Sequence, residues 1–199
     1  MRSYAEGDFI RIRDFLVETY AHFQRSYNWT IERWNFAASV ARTMHGVSMA
    51  AWTSQMGIWE GDGEILGVVN TEGEERGEAF FQLRHELLPK DMLAEMFAFC
   101  EADLGKVEEG RRIIDLRIPA GEIRLEEMAA DRGFARQPWV SPEGIMPLRD
   151  LLPTELPEGF TFADGTGVAP EEKAAVHAEA FGYVGEPPYP ERAKVGFRR

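Results

Sequence analysis

Residues 56–87 read MGIWEGDGEILGVVNTEGEERGEAFFQLRHEL, and this stretch decides the fold. Its first half holds two runs rich in β-forming residues around the turn Gly61-Asp62-Gly63, a pattern typical of a β-hairpin. A second turn rich in glycine and glutamate, Thr71 to Gly77, separates this hairpin from a third run that contains two adjacent phenylalanines. The stretch therefore predicts a three-stranded antiparallel meander, with strands at 56–60, 64–69 and 78–87.

Two amphipathic helices are predicted before the meander. From Asp8 to Arg25, apolar residues recur every three or four positions, namely Phe9, Ile12, Leu16, Tyr20 and Phe23. The second helix starts near Thr30, which is suited to an N-cap. Its apolar positions are Ile31, Trp34, Phe36, Ala37, Val40 and Ala41. For Trp29 and Trp34, a role in the core is favoured over a role in lining a cleft.

The chain after the meander changes to a helix–strand–helix pattern. Pro89 suits the start of a helix because its missing N–H costs nothing there, and Gly105 suits its end. We expect a short buried strand at 112–118, a helix at 121–131 and a final strand pair at 136–148. The predicted fold class is α/β (α+β): a mixed sheet in which an antiparallel meander is followed by a βαβ crossover, with helices on both faces.

The pattern of the sequence changes beyond Leu151, where prolines become frequent. Prolines at Pro153 and Pro157 are typical of a linker, after which a short strand at 160–163 and a helix at 170–181 are predicted. The expected organisation is a domain at 1–152, a linker at 153–159 and an incomplete second domain at 160–199.

Composition limits the function classes. The net charge of −12 argues against nucleic-acid binding and fits a basic or polyamine-like substrate, although a role in solubility alone stays open. The single Cys100, on an apolar helical pattern, is expected to be a buried packing residue and to fit a reducing cytoplasm. No apolar run is long enough for a membrane span, and the N-terminus lacks the pattern of a secretory signal. These features predict a cytoplasmic protein without membrane partners.

The order of these elements resembles the GNAT superfamily of N-acetyltransferases. The resemblance covers roughly residues 1–150, and its sharpest single feature is Arg132-Gly133-Phe134 after the last helix. Residues 156–182 are similar to the opening strand and helix of another GNAT domain, so the chain resembles the degenerate first domain of a tandem GNAT protein. The resemblance implies acetyl-CoA as cofactor and a small-molecule or peptide amine as acceptor. Assembly into a homo-oligomer stays open.

The stretch where GNAT proteins bind coenzyme A departs from the family pattern. In the family, a glycine-rich turn after the fourth strand lets backbone N–H groups approach the pyrophosphate. Here Arg84 to Asp91 holds no glycine and contains Pro89. Ala129 stands where the family usually has a tyrosine that protonates the departing thiolate. The positions that the resemblance assigns to the cofactor are Leu83, His85, Leu87 and Lys90.

Candidates for a general base lie on or near the same strand. They are Glu78, Glu86 and His85, of which His85 and Glu86 are the predicted catalytic residues. A backbone N–H between Leu83 and His85 is the expected oxyanion donor. No metal site is expected, because no pair of histidines has ligand spacing.

Three hypotheses stay open at this point. The first is an acyl-CoA-dependent N-acetyltransferase, and the second is a catalytically inactive GNAT-like module that scaffolds or regulates a partner domain. The third is an unrelated α/β binding protein.

Overall fold

A computed structural model describes residues 1–23, 27–42, 45–73, 76–84, 88–142, 155–161 and 166–180. The chain divides into two compact units between Phe134 and Ala135. The predicted linker at 153–159 lies within the second unit, and its first two residues are outside the described ranges.

The first unit is built on a five-stranded mixed sheet with the strand order β1-β2-β3-β4-β7. A separate two-stranded ribbon is formed by β5 and β6. The strands are β1 Arg2–Ser3, β2 Gly57–Gly61, β3 Glu64–Asn70, β4 Glu78–Leu83, β5 Lys106–Glu108, β6 Arg111–Ile113 and β7 Asp115–Arg117.

Helices precede and follow the meander. Those of the first unit are α1 Asp8–Phe23, α2 Ile31–Phe36, α3 Met49–Thr53, α4 Lys90–Phe99 and α5 Ile123–Asp131. Two of them continue as π-helical turns, α2 into Ala37–Ala41 and α4 into Cys100–Leu104. In the second unit, α6 Pro170–Ala180 confirms the helix predicted there.

The predicted meander is confirmed. Strands β2, β3 and β4 pair antiparallel in sequence order. In the β2–β3 loop, Asp62 and Gly63 both adopt positive φ angles of 52° and 83°. This is the turn geometry that matches the twist of the flanking strands, and glycine adopts it without steric cost. Strand β4 ends at Leu83, short of the predicted end, and 85–87 lie outside the described residues.

The crossover is also present, since α4 leads from β4 to β7 and these two strands pair in parallel. The single buried strand predicted at 112–118 is wrong, because the backbone there divides into β6 and β7. Residues Glu109 and Gly110 have φ angles of 50° and 76° and fold β5 and β6 into an exposed hairpin. Five of the eight residues from Lys106 to Ile113 are charged, which leaves this hairpin little apolar surface to bury.

Two clusters of buried side chains, one on each face of the sheet, form the core. The first joins the sheet to α1, α2 and α3, and its sheet residues are Ile58, Ile65, Val68 and Phe80. The second joins the sheet to α4 and α5, and its sheet residues are Trp59, Val69, Ala79, Phe81 and Leu83. The predicted mixed sheet with helices on both faces is therefore confirmed.

Individual helix positions differ from the predicted patterns. Trp29 and Trp34 are buried in the first cluster, as expected. Tyr20 and Phe36 are half-exposed, because Phe15 and Ala38 take the core-facing positions instead. Thr30 precedes α2 as predicted but makes no capping hydrogen bond through its side chain.

The Gly133-Phe134 pair forms the C-terminal cap of α5. Phe134 N–H donates to the Ala129 carbonyl at 3.0 Å, and Gly133 N–H donates to the Ala130 carbonyl at 2.9 Å. Gly133 has a φ angle of 84°, which completes the hydrogen-bonded C-terminal motif that commonly ends helices. The strand predicted next is absent from 136–142, which are exposed and irregular, and 143–148 lie outside the described residues.

The N-terminus is attached to the sheet by a charged cluster of Arg2, Asp8, Arg11 and Glu60. Arg2 contacts both Asp8 oxygens at 2.6 and 2.8 Å and both Glu60 oxygens at 2.7 and 2.8 Å. Arg11 adds contacts to Asp8 at 3.1 Å and to Glu60 at 2.7 Å. The hydrogen bonds from Arg2 are the main reason that the pKa values of Asp8 and Glu60 both fall to about 2.

Candidate functional site

The C-terminal half of β4 has one side without a strand partner in the described part of the chain. β7 pairs only with residues 78–80, whereas β4 continues to Leu83. Arg84 N–H donates to the Leu66 carbonyl of β3 at 2.9 Å. Because backbone groups alternate sides along a strand, the N–H and C=O of Leu83 point away from β3, beyond the end of β7.

Asn28 closes this free edge. Its Oδ1 accepts the Leu83 N–H at 2.7 Å, and its Nδ2 donates to the Leu83 carbonyl at 2.9 Å. The same Nδ2 group donates to Thr19 Oγ1 at 2.9 Å. The side-chain amide of Asn28 thus supplies the donor and acceptor pair that the peptide group of a neighbouring strand would supply.

The polar chain continues into the core through Gln82. Gln82 Oε1 accepts the Trp29 N–H at 2.7 Å, and Gln82 Nε2 donates to Asn70 Oδ1 at 3.0 Å. Asn70 Nδ2 in turn donates to the Thr71 carbonyl at 3.2 Å. We call Thr19, Asn28, Asn70 and Gln82 the amide network. All four are buried and hydrogen-bonded, as buried polar groups must be to avoid a desolvation penalty.

A second polar group lies at the N-terminal end of β4. Glu78 is buried, and its Oε1 accepts the Glu72 N–H at 3.1 Å. The Glu72 carboxylate accepts two hydrogen bonds from Arg33, at 2.6 and 2.8 Å. The Arg33 guanidinium lies over the rings of Trp29 and Phe80, 4.8 and 4.6 Å from their centroids. Arg117 of β7 approaches Glu78 at 3.8 Å.

The residues predicted for the cofactor and for catalysis are described only in part. His85, Glu86 and Leu87 lie outside the described residues, so their roles stay predictions. Leu83 is buried in β4. Its N–H lies in the range expected to supply an oxyanion donor, but in this structure it donates to Asn28 Oδ1. Lys90 is exposed at the first position of α4, after Pro89 at the N-cap.

Two further predicted positions are internal. Ala129 packs in the second cluster with its methyl group buried, so α5 presents no proton donor at that position. Cys100 is fully buried, and burial raises the pKa of its thiol, which confirms a packing role and disfavours the nucleophilic thiolate.

Sequence reasoning missed the amide network and Arg33. A signal for the network was available, because Asn70 and Gln82 interrupt β-forming apolar runs at positions that the meander buries. No comparable signal marked Asn28, which lies in a connection between helices, or Arg33, which occupies an ordinary helical position.

No family model, no curated protein and no solved structure matches this chain. Across the described residues, no helix has the length and apolar character needed to cross a bilayer. The same residues contain no group of three or more acidic, histidine or cysteine side chains placed to hold a metal ion.

Proposed function

We propose that this chain is a GNAT-like domain of an acyl-CoA-dependent N-acetyltransferase, an enzyme that transfers an acetyl group to an amine. The observation that supports it best is the relation of β4 to β7. An antiparallel meander is followed by a crossover helix and by a parallel strand that pairs with the first half of β4 only. This order of elements is the one on which the resemblance rests.

The free half of β4 suits an extended ligand that carries amides. A strand edge offers backbone groups at a regular spacing, and such an edge binds extended chains through main-chain hydrogen bonds. The acyl-bearing arm of coenzyme A contains amide groups of this kind. Under this proposal, the arm would replace Asn28 at the Leu83 backbone, and Lys90 would neutralise charge on the phosphates.

The chemistry needed is modest. A held thioester and a base that takes the proton from the attacking amine account for much of the rate of acyl transfer. Glu78 is a buried carboxylate on the same strand, and His85 and Glu86 follow that strand in sequence. With Ala129 in place of a proton donor, the thiolate would leave unprotonated or take its proton from water.

A second candidate is favoured by Asn28 itself. If its contacts with Leu83 are permanent, the edge is closed, and the domain is a non-catalytic GNAT-like module that scaffolds or regulates a partner domain. Both hydrogen bonds are short and buried, and Thr19 supports the same side chain. A ligand would have to offset the loss of all three contacts.

Calorimetric titration of the purified chain with acetyl-CoA separates the two candidates, with desulfo-CoA as the control for binding without a reactive thioester. The first candidate predicts micromolar binding of both ligands and release of free thiol when amines are added. An absence of binding up to millimolar acetyl-CoA contradicts it and favours the non-catalytic module.

A further inference from the structure

The corner formed by Trp29, Phe80 and Glu72, which we call the aromatic corner, has the chemistry of a cation site. The two rings meet edge to face, with centroids 4.9 Å apart. Both rings are almost completely buried, while the Glu72 side chain keeps about a quarter of its surface exposed. Ring faces and a carboxylate together attract guanidinium and ammonium groups.

The corner already holds such a group. The Arg33 guanidinium lies within 5 Å of both ring centroids. It also forms a bidentate pair of hydrogen bonds with the Glu72 carboxylate, which the planar guanidinium favours. The Arg33 side chain is 40% exposed, so the corner opens to solvent through the residue that fills it.

Glu78 keeps the corner in shape. It accepts the Glu72 N–H at 3.1 Å from the buried first position of β4, and this contact fixes the backbone that carries the Glu72 carboxylate. Phe80 is on the same strand two residues later, and the Trp29 backbone is held by Gln82. Three alternate residues on one face of β4 therefore build the corner: Phe80 forms part of it, and Glu78 and Gln82 hold its other parts in place.

We propose that the aromatic corner is a recognition site for a cationic amine or guanidinium ligand, and that Arg33 occupies it as an internal substitute for that ligand. The net charge of −12 favours the approach of such a ligand. As a substrate-class assignment this rests on the proposed function, in which a cationic amine would be the acetyl acceptor. A tethered competitor weakens the apparent affinity for an external ligand by the fraction of time that it leaves the site empty.

This competition gives a test with a defined sign. We would titrate ¹⁵N-labelled protein with agmatine, which carries a guanidinium and an ammonium group, and follow the indole N–H signal of Trp29. In the Arg33→Ala variant the competitor is gone, so agmatine should bind at least about 10-fold more tightly than to the wild type and shift that signal. Adding Glu72→Gln to Arg33→Ala should remove the gain.

The matched control is Arg11→Ala. Arg11 is about as exposed as Arg33 and forms ion pairs with carboxylates, those of Asp8 and Glu60, but it is no part of the aromatic corner. Its removal changes the net charge equally and should leave agmatine affinity within about twofold of the wild type. Equal tightening in both variants would show a general charge effect and overturn the proposal.

No binding of agmatine to Arg33→Ala would also overturn it. If that variant does not fold, the same titration is made with Arg33→Gln. This change removes the cation while keeping part of the side-chain stem over the rings. These titrations contain no acetyl-CoA, so a failure of cation binding and a failure of acyl-CoA binding are separate results.

Discussion

The sheet carries two polar clusters that are held together by different forces. The amide network consists of neutral side chains, is buried and keeps Leu83 and Trp29 in register with α1 and the start of α2. The charged cluster attaches β1 and α1 to β2; its Asp8 is buried, whereas Arg2, Arg11 and Glu60 are partly exposed.

The difference lies in what each cluster loses when one member is removed. Buried backbone groups left without a partner lose a hydrogen bond that water cannot replace. In the charged cluster, the partly exposed Arg2, Arg11 and Glu60 are rehydrated when a partner leaves, and salt screens what remains. The buried Asp8 keeps its contact with Arg11 when Arg2 is removed. The amide network should therefore dominate stability at neutral pH, while the charged cluster should account for more of the acid sensitivity.

Asn28→Ala should have the largest effect. It leaves the Leu83 N–H and C=O without their partners in a buried position, which should lower the free energy of unfolding by roughly 2–4 kcal/mol. Urea denaturation measures this change. The matched control is Asn35→Ala, at an exposed position of α2, which should change stability by about 0.5 kcal/mol or less. Equal effects at the two positions would refute the role given to Asn28.

Gln82→Met comes next. Methionine has a similar length but neither accepts from the Trp29 N–H nor donates to Asn70. We therefore expect the free energy of unfolding to fall by roughly 1–3 kcal/mol. Denaturant unfolding of this variant, of an Asn28 variant and of the pair forms a double-mutant cycle. Strict additivity would mean that the two side chains act independently rather than as one network.

Arg2→Gln should act mainly through pH. Because the folded-state pKa values of Asp8 and Glu60 are lowered to about 2, their contribution is complete above the unfolded values near 4 and is lost as pH falls toward 2. Discounted for solvent screening, this loss is roughly 1–3 kcal/mol.

Without Arg2, the pKa values of the two carboxyl groups should move back up, and the fall in unfolding free energy between pH 5 and pH 2 should be smaller. Arg13→Gln is the control, because Arg13 lies outside the charged cluster and forms an ion pair with the exposed Asp14 at 3.6 Å. An unchanged acid dependence in Arg2→Gln would contradict the assignment.

Glu101→Gln should have the smallest effect. The Arg132–Glu101 contact at 2.9 Å is a partly exposed ion pair between the C-cap of α5 and the π-helical turn that continues α4. Its loss should cost about 0–1 kcal/mol, and the cost should fall further in high salt. Thermal melts at two salt concentrations check this, and a cost comparable to that of Asn28→Ala would erase the distinction between buried amides and exposed charges.

The sequence predicted the parts of the fold that depend on local chemistry. The hairpin turn followed from Asp62-Gly63, and the start of α4 followed from Pro89. The β5–β6 ribbon was missed because the turn at Glu109-Gly110 lies just before the segment 112–118, which was interpreted as one continuous strand.

The site was harder to predict because its contacts join distant positions. Asn28 and Leu83 are 55 residues apart, and Arg33 and Glu72 are 39 apart. No periodicity brings such pairs together before the fold is known.

The most direct test of the account follows the backbone amide of Leu83 by NMR while acetyl-CoA is added. The proposed acetyltransferase predicts that micromolar acetyl-CoA shifts the Leu83 amide signal and changes the side-chain amide signal of Asn28, since the ligand takes over the contact. If both signals stay unchanged up to millimolar acetyl-CoA, the free edge of β4 is closed by Asn28, and this domain does not bind the acyl donor there.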